Sequence, residues 1–103
     1  MNRGEIYDAA LPFGGAHPAV IVTRERAIPL LANVCVVAVT STVRGLPTEV
    51  ELGPAQGLRS ACVANCDNLF TLPKRALTRR RGALGPAELD RLNQALRIAL
   101  GLD

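Results

Sequence analysis

The sequence predicts a mainly β fold: a small, curled antiparallel sheet with one helix packed against it. Three observations carry that expectation. Asn33–Thr42 is a continuous apolar run rich in Val and ending in hydroxyl residues, the pattern of a strand buried on both faces. Around it, short strand-like segments are separated by turns built on Gly and Pro. Near the C-terminus the period changes, and leucines recur at spacings of three and four. At 103 residues the chain can bury a modest core without disulfides or a structural metal, so residues 1–103 are expected to form one domain.

Taken in order, Glu5 to Asp8 alternates polar with apolar and predicts a first strand with one wet face. Pro12-Phe13-Gly14-Gly15-Ala16-His17-Pro18 follows as a loop, and Ala19–Thr23 as a second strand. Arg24 to Ala32 is an excursion with at most one helical turn, because Pro29 prevents a long helix. After the Asn33–Thr42 strand, Gly45 and Pro47 build a turn. Thr48–Leu52 alternates cleanly, and its short connection makes it antiparallel to its neighbour. Ala61–Cys66 and Leu69–Leu72 predict two further short strands, with Leu77–Arg81 as an additional one. In that last segment the triplet Arg79-Arg80-Arg81 is expected to be a solvated face. A helix then closes the chain, with Gly85 as its cap, Pro86 in its first position and Glu88 at the positive end of its dipole. Leu89, Leu92, Leu96, Ala99 and Leu100 form its apolar stripe, and Gly101 ends it.

Charge and cysteine usage narrow the function classes. The net charge is +3, and eleven of the twelve basic residues are Arg, whose planar fork suits phosphate. Cys35, Cys62 and Cys66 form no CxxC pair and leave one over; with a single histidine, a zinc site is not expected. Buried, reduced thiols in a cytoplasmic protein fit better. No signal peptide and no apolar run of membrane-spanning length is present, so no membrane partner is expected. Gly-rich phosphate loops, HExxH and GxSxG are all absent.

What remains for chemistry is His17 beside the second strand, the hydroxyls of Thr40, Ser41 and Thr42, and scattered Arg. An imidazole exchanges protons near neutral pH, and a hydroxyl with a cation can hold developing negative charge. Such a set suits metal-free phosphodiester cleavage by the substrate's own 2′-hydroxyl, a nucleophile that RNA carries and DNA lacks. Against that stands a plain structural reading, in which His17 braces Pro18 and the hydroxyls bond the backbone at the strand end.

Arg3-Gly4-Glu5-Ile6-Tyr7, the Gly14-to-Val22 segment, Val37-Ala38-Val39-Thr40-Ser41-Thr42, Leu46-Pro47-Thr48-Glu49-Val50 and Val63-Ala64-Asn65-Cys66-Asp67-Asn68-Leu69 follow one another in this chain. In that order they resemble the successive blocks of the MazF/PemK (Kid) family of toxin endoribonucleases. The resemblance implies an SH3-like small barrel with a terminal helix, the fold shared by CcdB and PemK toxins, assembled as a homodimer. It also implies sequence-selective cleavage of single-stranded RNA without a cofactor or metal, restrained by a cognate antitoxin. In the family a basic residue, usually Arg, precedes the Pro of the second strand, and a Thr ends the third. Thr40 matches the second position; His17 stands at the first and departs from the pattern. The resemblance thus points to His17 and Thr40 as catalytic, and to Phe13, Gly15, Arg24, Ser41, Leu46, Asp67 and Asn68 as RNA-binding. Arg24 is also a candidate for the cation that His17 does not permanently supply. The alternative reading is a non-catalytic toxin or binding module of the same fold, acting as a gyrase poison does.

Overall fold

The computed structural model describes residues 1–102. Six strands form one antiparallel sheet: β1 (Glu5–Ala10), β2 (Ala16–Ile21), β3 (Asn33–Thr40), β4 (Glu49–Leu52), β5 (Cys62–Pro73) and β6 (Leu77–Ala83). They lie in the order β4-β5-β3-β2-β1-β6, and α1 (Pro86–Leu100) packs across β4 and β5. The expected mainly β fold with a terminal helix is therefore present.

The continuous apolar character of β3 has a direct cause. Val37 and Val39 point into the core under α1, with Ile6, Val20, Val50, Ala64 and Leu92. Val34, Val36 and Ala38 point into a second core on the opposite face, with Ala9, Ile21, Ile28, Leu72 and Leu77. Successive side chains of a strand alternate faces, so burial on both sides demands apolar residues at every position.

α1 begins where its sequence signals lie. The Gly85 amide donates to Glu88 Oε1 at 2.8 Å, and Pro86 takes the first position, where no amide is needed. Leu92 and Ala95 are its fully buried contacts, and Leu89, Leu96 and Ala99 pack at the margin. Leu100, expected in the stripe, is instead 52% exposed. Gly101 closes the helix in the left-handed conformation.

Several strand boundaries differ from the expectation, and β4 pairs with β5 rather than with β3 across the short connection that precedes it. β2 starts at Ala16, which places His17 and Pro18 inside the sheet, opposite Ala9 and Asp8. β6 runs to Ala83 rather than Arg81. The two strands expected at Ala61–Cys66 and Leu69–Leu72 are one strand, β5. Val37 pairs with Leu69 but Ala38 pairs with Asn65, so Cys66, Asp67 and Asn68 form a bulge that β3 does not partner. The bulge interrupts pairing without ending the strand, and a composition break at that point looks like a turn.

The sheet is not closed by strand pairing, yet its two edges meet. The turn Pro54–Gln56 after β4 lies against β6. A Cβ on Gly82 would stand 1.9 Å from the Gln56 carbonyl oxygen, and one on Gly57 would stand 2.1 Å from the Arg81 carbonyl oxygen. Only two facing glycines allow the backbones to cross so closely. The result is a strongly curled, barrel-like sheet.

Candidate active site

The ends of β2, β3 and β6 and the segment after Gly57 surround a cleft of about 440 Å³. His17, Thr40, Ser41, Arg59, Ser60 and Arg81 supply its polar lining. His17 is half-buried at the start of β2, and its ring is fixed by the preceding loop. Gly14 and Gly15 adopt φ of +94° and +73°, values that favour glycine, and turn the Gly14 carbonyl back onto the imidazole. His17 Nε2 lies 2.9 Å from that carbonyl oxygen. A carbonyl accepts and cannot donate, so Nε2 carries the hydrogen and the neutral ring keeps its lone pair on Nδ1. The exposed Phe13 ring rests on the imidazole at 4.9 Å between centroids and meets Phe70 edge-on at 6.0 Å.

Thr40 ends β3. Its Oγ1 accepts the Thr42 amide at 3.1 Å, which orients the hydroxyl and leaves its own hydrogen available to donate. Arg81 enters the cleft with a fixed direction, because Nη1 bonds Asp8 Oδ1 at 3.0 Å. Both side chains are about one-fifth exposed (19% and 18%). Cys62 also lines the cleft, but burial raises its thiol above the ordinary range and keeps it protonated. Among the described residues, no group of three or more His, Cys, Asp or Glu is placed to hold a metal ion. No helix of the described residues is long and apolar enough to cross a membrane.

A second, more polar cleft of about 350 Å³ adjoins the first through Thr40 and is lined by Thr42, Arg44, Leu46, Asn65, Asp67 and Asn68. The β5 bulge lifts Asp67 and Asn68 into it. Asp67 Oδ2 accepts the Thr48 hydroxyl at 2.7 Å, and the Asp67 amide donates to Asn65 Oδ1 at 3.0 Å. Across the mouth, the Glu49 carboxylate accepts the amides of Arg44, Gly45 and Leu46, which holds the 43–47 loop in shape.

The structure thus brings together His17, Thr40 and Ser41 in one cleft, Phe13 and Gly15 against the His17 ring, and Leu46, Asp67 and Asn68 in the adjoining cleft. Arg24 stands apart. It lines an apolar groove of about 470 Å³ with Leu31, Cys35, Leu69, Leu96 and Leu100. The cations that do share the His17 cleft are Arg59 and Arg81, which the sequence did not single out. The basic triplet was the available signal for Arg81. Its meaning depends on a partner, Asp8, that lies 73 positions away along the chain.

Known proteins share both the sequence and the fold of this chain. Residues 2–100 match the family model of the PemK-like, MazF-like toxin of type II toxin–antitoxin systems. A probable endoribonuclease of Mycobacterium tuberculosis, MazF2, is 43% identical over 98% of this chain and 99% of its own length. The solved M. tuberculosis toxin MazF-mt6 superposes with a TM-score of 0.90 at 40% identity, covering 96% of this chain and 98% of that one. A mycobacterial endoribonuclease solved in complex with its cognate antitoxin gives a TM-score of 0.90 at 38% identity, over 100% and 97% of the two chains. By fold and by sequence over nearly its whole length, the chain belongs to the PemK-like, MazF-like family of type II toxin–antitoxin toxins.

Proposed function

We propose that the chain is a single-domain toxin endoribonuclease that cuts single-stranded RNA by internal transesterification, without a metal or cofactor. The observation that carries this reading is the content of one cleft: an imidazole with a free Nδ1, a hydroxyl free to donate, and a guanidinium. In the step proposed, the 2′-oxygen bonds to phosphorus and the bond from phosphorus to the 5′-oxygen breaks. His17 Nδ1 takes the 2′ proton as general base, and one proton from solvent reaches the leaving oxygen. Thr40 Oγ1 donates to a non-bridging phosphate oxygen as charge builds there. Phe13 offers a stacking face to an unpaired base, with Gly15 shaping the loop beneath it. Ser41, Leu46, Asp67 and Asn68 line the path of the neighbouring nucleotides.

The partners follow from the remaining surfaces. The groove lined by Arg24, Leu31, Leu69, Leu96 and Leu100, with Leu30, Ile98 and Leu102 exposed nearby in sequence, suits a second copy of the chain, so the active form is a homodimer. A cognate antitoxin with an acidic segment fits a protein of net charge +3. Inhibition of translation in the cytoplasm then follows from cleavage of messenger, ribosomal or transfer RNA.

The test is digestion of a defined RNA in excess chelator. The products should end in a 2′,3′-cyclic phosphate and a 5′-hydroxyl, and a substrate with 2′-deoxyribose at the cut site should bind but resist cleavage. Cutting of that deoxy substrate, or an absolute need for magnesium, would overturn the mechanism. Inhibition of gyrase in a supercoiling assay, with RNA left intact, would favour the gyrase-poison alternative.

A further inference from the structure

His17 stands where the family carries a permanent cation, and Arg24 lies in another groove. A phosphate entering the cleft nonetheless gains negative charge in the transition state, and an imidazole engaged with the 2′ proton is not placed as a standing cation on the non-bridging oxygens. Arg81 is the positive group built to do so, and three independent features of the fold point to it.

The first is register. On β1, Ile6 pairs with Gly82 and the next residue, Tyr7, pairs with Arg80, so Arg81 has no partner and forms a bulge. A bulge departs from strict alternation and re-aims a side chain, here into the cleft rather than along the edge of the sheet. The second is the clamp on its main chain. Gly57 and Gly82 cross at contact distance, which pins the Arg81 peptide and carries Leu58, Arg59 and Ser60 into the same cleft. The third is its partner. Asp8 holds Nη1 and leaves the rest of the five-donor guanidinium uncommitted among the described residues. Neighbouring Arg80 behaves differently: it is 52% exposed and turns to Glu5. A salt bridge serving only stability would not need a bulge, a glycine crossing and a place in the cleft.

We propose that Arg81 is a catalytic residue, contacting the scissile phosphate as its fixed cation, and that Asp8 is a positioning residue that sets the guanidinium's direction. The assignment rests on the ribonuclease reading above. It divides the work that the family gives to one Arg between two side chains, His17 for the proton and Arg81 for the charge. The pairing with Asp8 also lowers the net charge of the site before RNA arrives, so the site favours the transition state over tight ground-state binding.

Single-turnover cleavage of a defined RNA, and binding of the same RNA carrying 2′-deoxyribose at the cut site, test this on wild type and on Arg81→Gln, Arg81→Lys, Asp8→Asn, Arg79→Gln and the double variant Asp8→Asn/Arg81→Gln. Arg81→Gln is expected to slow cleavage by roughly 10²–10³-fold while changing binding by about tenfold or less. Arg81→Lys should recover part of the rate, because it restores charge without the fork. Arg79, exposed on the same strand and outside the cleft, controls for generic charge: Arg79→Gln should leave the cleavage rate constant near wild type. Asp8→Asn should slow cleavage about tenfold or more without weakening binding, whereas a carboxylate that merely repels RNA would give tighter binding and an unchanged or faster rate. The double variant leaves no unpaired carboxylate, so it keeps the comparison readable if Arg81→Gln unfolds. A folded double variant that cuts at the wild-type rate overturns the assignment, as does equal loss in Arg79→Gln and Arg81→Gln. A wild-type protein that leaves RNA intact overturns the ribonuclease reading itself, and with it the role given to Arg81.

Discussion

Replacing Gly82 by Ala should open the curled sheet where its edges meet. The added methyl would lie 1.9 Å from the Gln56 carbonyl oxygen and 2.8 Å from its carbon, and no flexible side chain is available to yield. Ordinary carbon–oxygen contact needs well over 3 Å, so the two backbones must separate by about 1.5 Å or the turn must detach from β6. Overpacking of this severity costs on the order of 3 kcal/mol or more, which for a domain near 100 residues lowers Tm by roughly 12 °C or more. Gly53, one residue before the same turn, is the control. Its φ of −177° is extended, and the nearest atom to a Cβ there lies at 3.8 Å. Gly53→Ala should therefore shift stability by no more than about 0.5 kcal/mol. Thermal and urea unfolding of both variants, followed by circular dichroism, make the comparison. A Gly82→Ala protein as stable as Gly53→Ala would refute the close crossing and the shape it gives the cleft.

Three further outcomes follow. At neutral pH a thiol reagent should modify Cys35 of the folded monomer first, because burial with the nearby Asp67 charge pushes Cys66 up to about 11 and burial also raises Cys62; rapid labelling of Cys66 in native protein would contradict its packing. Burial alone would raise the Glu5 carboxyl, but the Arg80 hydrogen bond, the Asn2 amide and the positive charges of Arg80 and the N-terminus outweigh it and hold it below the ordinary range. Its contribution is therefore present at neutral pH and lost as pH falls below about 4.5, so Glu5→Gln should lower stability at pH 7 more than at pH 3, measured by urea unfolding at both. Leu69→Glu, a change at a position 38% exposed in the apolar groove, should yield a folded monomer by sedimentation with RNA cleavage reduced; a dimer unaffected by this charge would move the interface elsewhere.

The sequence made the core legible because cores obey local period. β3 needed apolar residues at every position, and α1 carried its cap, its proline and its terminal glycine in plain view. The bulges were not legible. Whether Arg81 or Cys66 to Asn68 pair is decided by the neighbouring strand's register, and register appears only when strands distant along the chain are laid side by side. That is why β5 looked like two strands and why Arg81 was not told apart from Arg79 and Arg80, which do form a solvated face. His17 and Thr40 stood out by chemistry and by resemblance, but the direction of Arg24 depended on where β2 ends, at Ile21, and on the groove beyond it. The glycine crossing left two letters far apart in the chain, with nothing local to link them.

If His17 performs the proton transfer, in place of the guanidinium that stands at its position in the family, the pH dependence of cleavage will show it. Single-turnover rates of wild type, His17→Ala and Thr40→Ala should be measured on one RNA from roughly pH 5 to 9, with folding checked by circular dichroism. The Gly14 contact leaves Nδ1 as the basic nitrogen, and a general base acts only when unprotonated, so the wild-type rate should rise with pH and then level off. His17→Ala should lose about 10²-fold or more and the rise with it, while deoxy-substituted RNA still binds. Thr40→Ala should be slower but keep the same profile, since a hydroxyl donor stabilises charge without exchanging the proton. A folded His17→Ala protein with near-normal turnover and an unchanged profile would contradict the claim.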